Sequence, residues 1–406
     1  MKKVSIAGAI FFCAAVMLAG LGLRAGGAEG QGAGLATGLA TPLPGMPPVL
    51  DPHDIYAADR PGEMSPTVKD YPSRVYVPNS GSDSVDVIDP TTYKIIDHFA
   101  VGHQPQHVTP SYDLKTLWVL NDLGDSVTKI DPATGKKGET VHVLDPYNMY
   151  YTPDGKFAIV VAERMKRLDF IDPKTMKLKH ALSVPCRGVD HMDFSADGRY
   201  LIASCEFSGT MLKVDVARQS VIGELKLPHQ DMPHGAKHHI DEEYIKEGVN
   251  PANQGMPQDV KVSPDGKVFY VADMVANGVY EIDGDAFKVI GFIPTGEGTH
   301  GLYASRDSRV LYVSNRGEGS VSLISFAERR VVTTWKFPGG GSPDMGGVST
   351  DGKVLWLSGR YNTEVYAIDT SNGSLLARIK VGKGPHGLCV YPQPGRYSLG
   401  HTGIFR

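Results

Sequence analysis

The chain has 406 residues, 41% hydrophobic and 21% charged, proportions that exclude a wholly disordered protein. A formal charge of −4 leaves no basic surface of the kind that neutralises phosphates, which excludes nucleic acid as an expected partner. The 47 Gly and 28 Pro predict many turns and therefore many short strands.

At the N-terminus, Lys2 and Lys3 precede an apolar run from Val4 to about Leu23, and small residues follow at Ala25, Gly26, Gly27 and Ala28. This order predicts a secretory signal over residues 1–28 with cleavage after Ala28. An uncleaved membrane anchor is the alternative, because the run is nearly long enough to span. The small residues interrupting it favour cleavage, so the expectation is a periplasmic or secreted protein with no stable membrane span. Residues 29–73 are rich in Gly, Ala and Pro and read as a flexible spacer.

From residue 74 onward the sequence repeats. An Asp-Gly turn or a relative recurs at Asp113, Asp154, Asp197, Asp265, Asp307 and Asp351, at spacings of 41, 43, 68, 42 and 44. A second turn recurs at Asp89, Asp131, Asp172, Asp215, Asp283, Ser325 and Asp369, with the same long step of 68. Between them lie β-branched or alternating runs such as Leu117-Trp-Val-Leu and Val310-Leu-Tyr-Val, each the pattern of a half-buried strand. Four strands in about 40 residues is a propeller blade. The first unit lacks the strand that precedes the Asp-Gly turn elsewhere, and Pro385–Tyr391 supplies one. The sequence therefore predicts an all-β fold, a seven-bladed β-propeller of four-stranded blades over residues 74–406. Its ring is closed by the N- and C-terminal strands, which removes an exposed edge, and it carries an insert at about residues 228–256.

The segments Arg74-Val-Tyr-Val-Pro-Asn, Val268-Phe-Tyr-Val-Ala-Asp and Val310-Leu-Tyr-Val-Ser-Asn, with Ser-Pro-Asp-Gly and Pro-His-Gly around them, resemble YVTN-type β-propeller repeats across residues 74–391. That resemblance implies the architecture and leaves the activity open. The family is similar in fold to the haem-binding propeller of dissimilatory nitrite reductases and to propellers associated with periplasmic quinoprotein dehydrogenases.

In a meander the two marker turns share one face, and the blade-to-blade connections lie on the other. Gln106-His107, Tyr147-Asn148, Asp190-His191, Gln258-Asp259, His300-Gly301, Asp344-Met345 and His386-Gly387 occupy equivalent positions there and should ring the channel mouth. The candidate metal ligands are His107, His191, His300 and His386, joined by His234 and His238 from the insert, Met192, Cys186 and Cys205. Neutral imidazole is the commonest metal ligand, and imidazole with thioether favours copper. A structural role for each ring histidine, bonded to a backbone carbonyl, is the competing reading. Cys186 and Cys205 should lie close together in one blade, which in an oxidising compartment gives a disulfide, with a metal site including His191 and Met192 as the alternative. Arg164, Arg316 and Arg360 fall on the same face and are candidates for an anionic cofactor group such as a haem propionate.

No Cys-x-x-Cys-His, nucleophile elbow or phosphate-cradling loop is present, so the chain carries no covalent c-type haem. The expectation is a binding protein whose mouth holds a transition metal, haem or another redox cofactor, or some small-molecule ligand. A periplasmic redox protein is a candidate partner. A metal-dependent periplasmic oxidoreductase and an interaction scaffold without a metal are the alternatives.

Overall fold

The computed structural model describes residues 42–230, 248–250, 252–401 and 403–406. Its local logic is set by one turn repeated around the ring. In six blades a Ser or Thr hydroxyl donates to an Asp two residues on, as in Ser111–Asp113 (2.7 Å) and Ser263–Asp265 (2.6 Å). That carboxylate also accepts a backbone N–H two residues further, from Lys115 or Lys267 for example (both 3.2 Å). Side chains thus satisfy the amides that a tight turn strands, and the chain reverses between the first and second strand of each blade.

Seven four-stranded antiparallel blades result, with strands running outward in chain order. One blade joins both ends of the domain. Cys389–Tyr391 pairs with Arg74–Asn79, placing Arg74 opposite Tyr391 and Tyr76 opposite Cys389. The seven-bladed ring and its terminal closure are therefore as the two periods predict. Burial falls from the axis outward: Pro105–Pro110 is buried throughout, whereas Lys94–Ala100 is mostly exposed. Between blades, side chains such as Tyr150, Phe194 and Leu201 form apolar clusters, each buried residue contributing about 2 kcal/mol of transfer free energy.

Residues 42–73, read from sequence as spacer, instead pack on the face that carries the Asp-Gly turns. Leu43, Ile55, Tyr56, Ala58 and Val68 are buried, the Ile55 N–H donates to the Pro264 carbonyl (2.8 Å), and Asp59 lies 3.5 Å from Arg306. Composition misleads here because five apolar anchors are spread without a period among Gly and Pro. Residues 29–41, with the signal segment, fall outside the described residues. So do residues 231–247, most of the insert.

Beyond the closing strand the tail turns in to the channel lining. Ser398–Gly400 adds to Asn148–Tyr151, an innermost strand, and Arg406 pairs with buried Asp193 at 2.8 Å. Among the described residues no helix is long and apolar enough to cross a membrane.

Packing at the axis admits no added volume at Gly346, where a methyl group would lie 1.7 Å from the Trp356 carbonyl oxygen. Gly346→Ala is expected to cost about 3 kcal/mol by overpacking, read as a lowered denaturant midpoint. An unchanged midpoint would contradict this packing.

Candidate metal centre in the central channel

The channel lining arises from a fault repeated in the innermost strands. Pairing with the second strand skips a residue between Pro105 and His107, Val189 and Met192, Pro257 and Val260, Thr299 and Leu302, and Pro343 and Gly346. A bulge inserts an unpaired residue and re-aims side chains. In each of these five blades it falls at the connection residues picked out by the repeat register.

With His386 from the closing segment and His401 from the C-terminal tail, His107, His191 and His300 at these bulges form a cluster of five imidazoles, each no more than 2% exposed. Ring centroids are 4.8 Å apart for His191 and His401, 4.9 Å for His107 and His386, and 5.4 and 5.5 Å from His107 to His401 and His191. On one side, His386 Nδ1 is 2.7 Å and His300 Nδ1 3.1 Å from opposite oxygens of Asp344, whose Oδ1 is also 3.1 Å from Arg316. That side is closed around one ion pair, Arg316–Asp344, with the two imidazoles beside it.

The other side is open in the chemical sense. Asn148 Nδ2 lies 3.1 Å from His191 Nδ1 and 3.2 Å from His401 Nδ1, so one amide orients both rings. Their Nε2 atoms have no hydrogen-bond partner, and neither nitrogen of His107 has one. His191 Nε2 is 3.2 Å from Asp190 Oδ1, but off the hydrogen-bonding direction. One ligand atom each from His191, Asp259 and His401 can be drawn within 4.8 Å of one another. His107 is seated against Gly387, where any Cβ would lie 2.0 Å from its Nδ1. The glycine of Pro-His-Gly makes room for the neighbouring blade's imidazole.

Burial, then His401, holds His191 down to about 3, and burial depresses His107, His300 and His386 well below the usual imidazole range. Burial pushes the Asp259 carboxyl up, but attraction to His401 and Lys261 outweighs it and leaves it at about 2. A neutral His191 beside an anionic Asp259 is a donor pair that needs little deprotonation to bind a cation.

Of the residues proposed from sequence, His107, His191, His300 and His386 come together as the register predicts. Arg316 is buried on Asp344, with Met274 Sδ 2.9 Å from its other nitrogen. Arg164 lies at the mouth on Asp145 (2.7 Å) and Asp125 (2.9 Å), and Arg360 lines the mouth. Three proposed ligands are placed elsewhere. Cys186 and Cys205 are joined in a disulfide, so neither offers a thiolate. Met192 is packed in an apolar cluster between blades, because alternate residues of a strand face opposite ways and His191 takes the channel side. His234 and His238 lie outside the described residues. His401 was missed. It follows the last repeat and so has no register, although the buried Tyr397, Leu399, Ile404 and Phe405 around it marked a tail that docks.

Above the rings the channel widens into a recess of about 290 Å³, lined by Gln104, Gln106, Asp122, Tyr147, Glu163 and Glu206 among others.

The model of the YNCE-like beta-propeller family matches residues 67–221 and 245–395. An uncharacterized YncE protein of Salmonella typhi is 22% identical over 283 residues, covering 67% of this chain and 73% of that protein. Among solved structures, Kuenenia stuttgartiensis hydrazine synthase superposes with a TM-score of 0.60 at 20% identity, over 76% of this chain and 94% of that one. The dihydro-heme d1 dehydrogenase NirN in complex with DHE gives 0.55 at 15% identity, over 81% and 76%. At such identities the structural likeness is one of fold.

A buried imidazole held neutral makes folding oppose protonation. The stability it contributes is present above its unfolded pKa of about 6.5 and is lost as pH falls below that value. His300→Gln is therefore expected to reduce the metal-free protein's loss of unfolding free energy between pH 6.5 and 5.5, by up to about 1.4 kcal/mol. Urea titrations at both pH values read the difference, and identical losses in variant and parent would contradict the assignment.

Proposed function

Because the chain belongs to the YNCE-like β-propeller family, whose architecture hosts many activities, we propose a function from its channel: an exported binding protein that holds one divalent transition-metal ion on His191, His401 and Asp259. The observation that carries this is the set of buried imidazole nitrogens without partners, turned toward a buried anionic carboxylate. Unpaired buried polar atoms cost about 1–3 kcal/mol each, and a bound cation would offset that. His107 stands beside the three as a candidate fourth ligand.

Two imidazoles and a carboxylate suit zinc, iron(II) or copper(II), of which copper(II) binds nitrogen and oxygen sites most tightly. Thioether support for copper is weak at these three ligands, since Met192 faces an apolar cluster and the thioether beside the rings, Met345 Sδ, lies 3.2 Å from His300 Nδ1. Haem fits poorly at this level of the channel. The rings pack edge to face or tilted at 4.8–5.5 Å and leave no slot for a flat macrocycle. Ligation through Nε2 needs each ring proton on Nδ1, so the Asn148 amide must turn its oxygen to the two rings and give up the Met149 N–H it now accepts at 2.8 Å. A ligand's hydrogen-bonded neighbour fixes its tautomer in this way. A periplasmic or secreted location is part of this reading and rests on the charged, apolar and small-residue order of residues 1–28.

Copper(II) added to metal-free protein is expected to bind at one equivalent per chain by elemental analysis after desalting. His401→Ala and His191→Ala should each weaken binding about 100-fold, the upper range for losing support at a metal site. His103→Ala, which alters an exposed histidine on Asp83, should leave it unchanged. Stoichiometric copper in folded His401→Ala protein, or none in the parent, would overturn the proposal.

A further inference from the structure

The recess above the histidines combines unmet hydrogen bonds with a surplus of positive charge. Gln106 and Asp122 are each 5% exposed and line it, and Gln106 Oε1 and Asp122 Oδ1 have no hydrogen-bond partner. Nor has Glu163 Oε1 on the same wall. Buried oxygens in that state are costly until a donor reaches them. The hydroxyl groups of a ligand are such donors, and each can accept in return.

The charged groups of the lining have a different requirement. Arg164, Lys166, Arg187 and Arg360 stand against Asp122, Glu163 and Glu206. Arg164 is held by Asp145 and Asp125 and passes 3.8 Å from Asp122 Oδ1. Lys166, exposed at the rim, makes no ion pair among the described residues. Burial and then repulsion from Glu206 push Glu163 well above the usual carboxyl range, and burial first of all raises Asp122 and Glu206 to about 7. Near neutral pH Glu163 is therefore protonated and the other two partly so. The four cations outweigh these acids, and the lining suits an anion.

We propose that the recess binds a small organic anion carrying both carboxylate and hydroxyl groups. Its carboxylates meet Lys166 and Arg360, and its hydroxyls donate to Gln106 Oε1, Asp122 Oδ1 and Glu163 Oε1. Arginine receives a carboxylate in a planar fork and lysine attracts it as a point charge. The volume, about 290 Å³, is at the small end of ligand clefts, roughly 300–1,000 Å³, and suits a short-chain acid. The site uses no ligand atom of His191, His401 or Asp259, so it stands or falls apart from the metal centre.

L-Tartrate, succinate and erythritol share a chain length and are the probes, titrated calorimetrically into metal-free protein. Tartrate carries both charge and hydroxyls, succinate charge alone and erythritol hydroxyls alone. One tartrate should bind per chain, about tenfold or more tighter than either of the others. Lys166→Glu, a change at an exposed rim residue, should weaken tartrate binding about fivefold. Gln106→Met should bring tartrate and succinate closer together. The His191→Ala/His401→Ala protein should bind tartrate as the parent does. Absence of tartrate binding by the folded parent would overturn the proposal, as would succinate or erythritol binding equally well. An unaffected Lys166→Glu protein would overturn it too. Tartrate binding lost with the two histidines would assign the anion to a retained metal ion and overturn the recess as its site.

Discussion

The structure turns on the burial of imidazoles at a channel axis where they cannot be solvated. Seven innermost strands converge there, and a bulge in five of them turns side chains toward the axis that a regular strand would direct between blades. Once five histidines share that space, burial and mutual repulsion keep those such as His107 and His191 neutral. Asp344 and Arg316 absorb His300 and His386. The remaining three imidazoles have an anionic Asp259 nearby and too few protein partners. A polar cluster that is only partly satisfied is costly in a low dielectric. The proposed metal ion is the group that would complete it.

The ends of the chain build this site as much as the blades do. The closing strand, Cys389–Tyr391, leads directly into the tail that carries His401, and Arg406 anchors that tail on Asp193. Residues 42–73 pack beside that tail, with Met64 bridged to Gly395 and Arg406 over the Tyr56 ring. Binding at His401 is thus linked to docking of the tail, since an ion that binds only the docked form stabilises it by mass action.

Much of this was legible in the sequence, and what was legible was periodic. Two turn markers with a shared long step give blade count, closure and the register that places His107, His191, His300 and His386 on one rim. The same register reaches Asp259 but not its partnership with His401, because the tail lies outside the repeat. Met192 was misplaced for a local reason: register locates a residue along a strand, while the bulge decides which of two neighbours faces the axis. The Cys186–Cys205 pair was correctly brought together, and its chemistry was settled by the disulfide. Residues 42–73 escaped notice because their apolar anchors have no period.

Anomalous X-ray scattering from crystals of the copper-loaded protein tests the central claim most directly. One strong peak per chain is expected on the channel axis, about 2.0–2.2 Å from ligand atoms of His191, His401 and Asp259. A peak confined to the insert or the outer surface, or a fully ordered channel with no peak, would contradict it.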